Sequence, residues 1–325
     1  MPSRALVLPF LLLLFAPACH EAEPDARPSV SQVPTLRIGL IPEQNIFRQR
    51  ERYEPLLNYV GEQLGTTVHV DVLRHYGNVL RDFADNKLDG AFFGSFSYVL
   101  AHHQLGIEVL ARPESLDGTS TYHGLIFAKT GSGITTPESM KGKVFAFVDR
   151  ATSAGFVFPL AYFAEHGITN YATFFSETYF AGAHDAAIYD VLAGRADVGA
   201  AKDTVYQRLA ATDPRVARDL AVLERSPGFP ENALAIRSDL DPDIMQRLKE
   251  TLLHMHEDPR GQAILKEFGA RLFIETTDTD YAPLMAYVRA LGLDLATYYD
   301  RNEEATEDTP QSDSPDERTI QSTPR

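Results

Sequence analysis

The segment Asp149-Arg150-Ala151-Thr152-Ser153-Ala154-Gly155 follows an apolar run, Val144–Val148, and leads into the apolar stretch Phe156–Phe163. A buried strand therefore runs into a turn of hydroxyls and small residues, and that turn opens a helix. The first amides of a helix have no partner inside it, and the helix dipole adds partial positive charge there. The hydroxyls of Thr152 and Ser153 beside such amides make a place for an anion. A Thr-Ser pair also serves as an ordinary N-cap, and the pair by itself does not decide between the two roles. Other chemistry is not written in the chain, which has no HExxH, CxxC, P-loop or GxSxG pattern. His102 and His103 are adjacent, and His254 and His256 are two apart on a helical stretch. Neither spacing turns both rings to one face, so no metal is expected. No catalytic set emerges and no cofactor is expected, so the chain reads as a binding protein rather than an enzyme.

The 325 residues carry a formal net charge of −15, which argues against nucleic acid as a partner. A local site can still hold an anion, because buried dipoles rather than the net field govern it. Arg4, the apolar stretch Ala5–Phe15 and the sequence Ala16-Pro17-Ala18-Cys19 predict a signal peptide over 1–18. Cys19 is the only cysteine. A lone thiol in an exported chain is best explained as a lipidated anchor, which places the protein on the periplasmic or cell-envelope face. Residues 19–34 are polar and Pro-rich and read as a tether. Residues 301–325, with seven acidic and three basic residues, read as a disordered acidic tail. The stretch between is long for one core and suits two domains.

The elements that must position the Thr-Ser turn alternate. Leu36–Ile41 and Val68–Val72 read as strands around a helix marked by Tyr53, Leu56, Leu57, Val60 and Leu64. Ala91–Phe93 is a strand, and Gly94-Ser95 starts the next helix. Beyond strand 144–148 and helix 155–166, the pattern predicts strand 173–176, helix 184–193 ending at Gly194, strand 196–200, helix 203–211 and strand 220–224. Helices 241–257, 259–268 and 281–299 follow. This order predicts an α/β chain of mainly parallel sheets covered by helices. One internal echo stands out: VLRDFADNKLDGAFFG (79–94) and AIYDVLAGRADVGAAK (187–202) read as the same helix-to-strand step, one per lobe. Two such lobes would face a cleft, with ligand groups at strand C-terminal ends.

Six segments, in this order and spacing, carry a resemblance that runs from Leu36 to about Tyr299: Gly39-Leu40-Ile41-Pro42; Arg52-Tyr53-Glu54-Pro55-Leu56; Asp89-Gly90-Ala91-Phe92-Phe93-Gly94; Thr152-Ser153-Ala154-Gly155; Ala181-Gly182-Ala183-His184-Asp185-Ala186-Ala187; and Ser226-Pro227-Gly228-Phe229-Pro230-Glu231-Asn232. The chain resembles the periplasmic phosphate/phosphite/phosphonate-binding proteins of ABC importers. The resemblance implies a two-lobed type II periplasmic binding fold with the ligand cleft between lobes. Lobe one is then 35–123 plus 235–300 and lobe two 124–234, with crossings near Tyr122–Ile126 and Asn232–Ile236. It also implies an oxyanion site at Thr152, Ser153 and Ala154. Ala154 departs from the family, which often has a third hydroxyl there, and keeps only its backbone N–H. His184 matches a histidine that faces the oxyanion and would add charge if protonated. From lobe one, Tyr76 matches a ligand-reaching tyrosine, Phe93 stands where some members have tyrosine, Gly94 and Ser95 offer donors, and Tyr122 lies beside a crossing. Members that bind aminoalkyl phosphonates hold the ammonium with acids. Here one such position is Asn232, and the other falls in Ala201–Thr204 with Asp203 out of register. An aminophosphonate is therefore not expected as the best ligand, although Glu231 stands next to Asn232. The implied role is a monomer that captures phosphite, phosphate or a small alkyl phosphonate for an ABC permease and its ATPase. A second reading is a sensor that presents the oxyanion to a membrane histidine kinase.

Overall fold

The structure is a computed structural model that describes residues 35–85 and 87–298, all within one compact unit. The signal peptide, Cys19 with its tether, and the acidic tail lie outside the described residues. Thirteen strands are described: β1 (Leu36–Leu40), β2 (Val68–Val72), β3 (Gly90–Phe93), β4 (Glu108–Ser115), β5 (Thr121–Tyr122), β6 (Gly124–Lys129), β7 (Val144–Phe147), β8 (Glu177–Phe180), β9 (Val198–Lys202), β10 (Leu220–Arg225), β11 (Phe229–Pro230), β12 (Ala233–Ile236) and β13 (Ala270–Glu275). The helices that bear on the site are α1 (Ile46–Leu64), α2 (Asn78–Ala84), α3 (Ser95–Leu105), α4 (Phe158–Glu165), α5 (Tyr171–Phe174), α6 (His184–Ala193) and α7 (Asp203–Thr212).

The strands form two sheets, ordered β13-β4-β12-β3-β1-β2 and β10-β6-β9-β7-β8. Both are mixed rather than mainly parallel. In the first, β1 runs parallel to β2 and β3, but β12 runs against β3 and β4. In the second, β7 is parallel to β8 and β9, and β6 runs against β9 and β10. Parallel neighbours need a helical crossover. β6 and β12 instead arrive from the other sheet, and they enter pointing the other way. The chain passes between sheets twice, after Ser115 and after Arg225, and the two passages pair with each other as the short ribbon β5–β11 (Tyr122 opposite Phe229). The second passage thus precedes the expected Asn232–Ile236, because β12 already belongs to the first sheet.

Local signals explain most elements. α1 buries Tyr53, Leu56, Leu57, Val60 and Leu64 on one face, and the Asn45 side chain accepts from the Phe47 and Arg48 amides to cap it. α6 spans 184–193 and ends at Gly194, which takes φ +80°. The expected strand at 173–176 is not there: 171–174 is a helical turn capped by Asn170, and the strand is β8. β8 is an edge strand with no fully buried residue, so it carries no apolar alternation to read.

The C-terminal segment was expected to belong to the first lobe, yet it touches both. Tyr281 packs on Tyr98 of α3 and Tyr298 on Phe96, while the Gln104 side chain donates to the Leu295 carbonyl. The helix Ala282–Ala290 also lies against α4, and the Tyr298 hydroxyl donates to the Arg150 carbonyl at 2.8 Å.

Candidate functional site

The turn after β7 is not an ordinary helix start. Residues 153–157 form one π-helical turn before α4 begins at Phe158. The Thr152 carbonyl accepts from the Val157 amide, five residues on, at 3.1 Å. The amides of 153–156 therefore all precede the first helical bond, one more than in an α-helical start. Glycine makes this possible. A Cβ on Gly155 would lie 2.4 Å from Val148 Cβ, and the Gly155 carbonyl accepts from the Val148 amide at 3.2 Å. The turn is thus pressed onto the end of β7.

A small cleft lies at this turn, with about 10 Å³ of free space. Its wall includes Tyr76, Gly94, Tyr122, Thr152, Ser153, Ala154, His184 and Asn232, all expected from sequence. Ile41, Glu43, Ala151 and Lys202 complete it. Phe93 is fully buried against Phe83 and does not line the cleft. Ser95 is buried behind it, and its hydroxyl donates to the Pro230 carbonyl at 2.7 Å. A wider, more open groove lined by Gln44, Arg48, Arg52 and Arg208 lies nearby. It gathers mixed surface charges rather than converging buried donors.

The hydroxyls are not equivalent. Thr152 Oγ1 donates to the Asp149 carbonyl at 2.6 Å, so its proton is committed locally. Ser153 Oγ accepts from the Phe96 amide at 2.9 Å, a bond from α3 of the first lobe, and also hydrogen-bonds the Tyr122 hydroxyl. The Tyr76 hydroxyl is buried and has no hydrogen-bond partner. Burial holds it well above the ordinary phenol pKa, so it keeps its proton to donate.

His184 differs from expectation. Burial pushes its pKa down to about 3, and nearby Glu43 does not offset this. The ring is neutral at physiological pH and supplies no charge. Its Nδ1 accepts from the Lys202 amide at 3.1 Å, so the proton sits on Nε2. The ring is a fixed neutral donor. Its backbone N–H donates to the Glu43 carbonyl at 3.1 Å, and Asp185 accepts from the Asn45 amide at 2.8 Å. These bonds dock α6 on the loop after β1.

At the other end of the cleft the groups are charged. Lys202 is 2% exposed. Its Nζ contacts Glu231 Oε1, donates to Asn232 Oδ1 at 3.0 Å and lies 2.8 Å from Glu43 Oε1, an ion-pair contact without hydrogen-bond alignment. It also sits 4.3 Å from the centre of the Tyr122 ring. Burial would lower the lysine pKa, but Glu231 and Glu43 outweigh it and hold it above its usual value. Burial would raise Glu43, but Lys202, Arg208 and Arg52 outweigh it and keep that carboxyl well below the usual range. Asp203 points elsewhere, accepting from the His123 amide and pairing with Arg225.

Sequence reasoning missed Glu43 and Lys202. A signal for Lys202 was present: it is the last residue of the internal echo, where the first copy has Gly94. Lys202 ends β9, Gly94 directly follows β3, and both line the cleft. Among the described residues no group of three or more His, Cys, Asp or Glu converges as a metal site requires.

Comparisons with known proteins give the chain's family and fold. The phosphonate ABC transporter periplasmic substrate-binding protein family model matches residues 38–281. The chain is 23% identical over 258 residues to the phosphonates-binding periplasmic protein of Escherichia coli K12, covering 78% of this chain and 75% of that one. It is 24% identical to the phosphate-import protein PhnD of Mycolicibacterium smegmatis, covering 73% and 77%. Among solved structures, a binding protein component of an ABC phosphonate transporter from Pseudomonas aeruginosa superposes with a TM-score of 0.73 at 21% identity, covering 84% of this chain and 99% of that one. PhnD1 from Prochlorococcus marinus, in complex with methylphosphonate, gives 0.70 at 22% identity, covering 79% and 98%. With the family match spanning most of its length, the chain belongs to the periplasmic substrate-binding proteins of phosphonate ABC transporters.

Proposed function

We propose that this protein is the extracytoplasmic receptor that captures a phosphorus oxyanion (phosphite, phosphate or a small alkyl phosphonate) and hands it to an ABC permease with its ATPase. The observation that carries the reading is the ring of neutral donors at one end of the cleft. The Ser153 and Ala154 amides of the π turn, the Ser153 hydroxyl, the buried Tyr76 hydroxyl and the proton on His184 Nε2 belong to residues lining one cleft. Donors of this kind, in surroundings from which water is excluded, hold a compact anion strongly without needing a full counter-charge. The free space is too small for entry through a closed wall, so the ligand enters as the lobes part and is enclosed as they meet.

The lobes in this reading are 35–123 plus 235–300, and 124–234. The sequence Ala16-Pro17-Ala18-Cys19 supports a lipid anchor at Cys19 on the periplasmic face, with the protein acting as a monomer.

A melting-temperature series with phosphite, methylphosphonate, phosphate and sulfate tests the reading. A true ligand at about 100 times its Kd adds ~2.7 kcal/mol of stability. A shift with a phosphorus oxyanion, much reduced in Ser153→Ala, supports the assignment. No shift with any phosphorus oxyanion sinks it.

A further inference from the structure

The charged end of the cleft has the make-up of an ammonium receptor. Two carboxylates, an amide oxygen and an aromatic face surround one point, and all are buried. A primary ammonium has three donors, and here three side-chain oxygens contact it. That ammonium is held by the chain's own oxygens, through two hydrogen bonds and the Glu43 ion pair. We propose that Lys202 is the specificity-determining residue of this cleft: its own ammonium permanently fills a cage that would otherwise take a ligand's amino group, so the protein accepts oxyanions that carry no cationic substituent.

The inference rests on the oxyanion reading above and sharpens the expectation drawn from Asn232. The sequence suggested that the acids needed for an amine are missing. The structure places two of them, Glu43 and Glu231, beside Asn232, with the chain's own cation between them. The lysine reaches that point from the end of β9, which also positions its backbone amide on His184. One residue therefore fixes the imidazole tautomer at the anion end and occupies the cation end. A ligand bearing its own ammonium would have to displace a tethered ion already paired with two carboxylates, whereas an alkyl group meets no such competition.

Replacing Lys202 by alanine vacates three methylenes and an ammonium, room for a two-carbon aminoalkyl chain. Calorimetry would compare methylphosphonate with 2-aminoethylphosphonate. The wild type is expected to favour methylphosphonate by about tenfold or more, and Lys202→Ala to shift the ratio toward the amine by about 100-fold. An unchanged ratio in the variant, or a wild type that binds the amine more tightly, overturns the proposal. If Lys202→Ala does not fold, Lys202→Ala/Glu231→Gln leaves one carboxylate for one ammonium and carries the same comparison. Free ethylammonium separates this inference from the oxyanion reading. It should raise the melting temperature of the lysine-free variant and leave the wild type unmoved, whether or not any oxyanion binds. No such rise means there is no cage.

Discussion

The two sheets deliver the same step to the cleft and finish it differently. In the first, α2 leads to β3, which lies between β1 and β12 and is followed by Gly94 before α3. In the second, α6 leads to β9, which lies between β7 and β6 and ends at Lys202 before α7. Neighbours and strand directions correspond, with one parallel and one antiparallel partner in each case. The architecture fixes where a residue arrives, and the side chain at that place fixes what the site can hold. Gly94 leaves space beside Asn232, and Lys202 fills it.

That comparison breaks most sharply at the two terminal residues. Lys202→Met should cost roughly 3–5 kcal/mol in urea denaturation, because it strands buried carboxylates. Gly94→Ala should cost under about 1 kcal/mol, because the added Cβ would sit 3.4 Å from Ile41 and 3.6 Å from Asn232. Comparable losses at both positions would show that the cation is not what sets the second lobe apart. Next in size is Gly155→Ala. With a Cβ 2.4 Å from Val148, it should lose about 1–3 kcal/mol and weaken oxyanion binding as the π turn is pushed off β7. Unchanged affinity would remove the turn from the site.

The two hydroxyls of the turn give a finer test. Ser153→Ala should weaken phosphite binding about tenfold and Thr152→Ala only about twofold, since the threonine proton already belongs to Asp149. Equal effects would contradict the assigned roles. The smallest effect is in pH dependence. His184 is neutral when folded, with a pKa of about 3 against 6.5 when unfolded, so the unfolded chain binds the extra proton. Its contribution is complete above pH 6.5 and declines as pH falls toward 3. Melting temperatures at pH 7 and pH 5 should therefore drop less in His184→Asn than in the wild type.

What could be read from sequence divides along physical lines. Helix 184–193 and helix 259–268 were legible to the residue because Gly194 and Gly269 close them after a regular apolar face. The cleft residues Thr152, Ser153 and Asn232 were legible through the family resemblance. The π turn was not, since its cause is the approach of Gly155 to Val148, a contact seven residues apart that no local propensity encodes. Glu43 was illegible for a similar reason. It follows Pro42 in what reads as a loop, and only the fold carries it to Lys202, 159 positions away. Phe93 stands where some family members have tyrosine, yet its apolar ring suits the core, and the structure packs it against Phe83.

The C-terminal segment gives the molecule a mechanical property. Residues 281–298 are fastened to α3 on one side and to α4 and Arg150 on the other. Any parting of the lobes must stretch or release this strap as well as bend the β5–β11 ribbon. In the proposed opening these contacts, which lie away from the cleft, would have to give way. If the lobes part as proposed, apparent affinity scales with the fraction of molecules ready to bind, and changes in this strap would shift that fraction while the cleft's chemistry stays fixed.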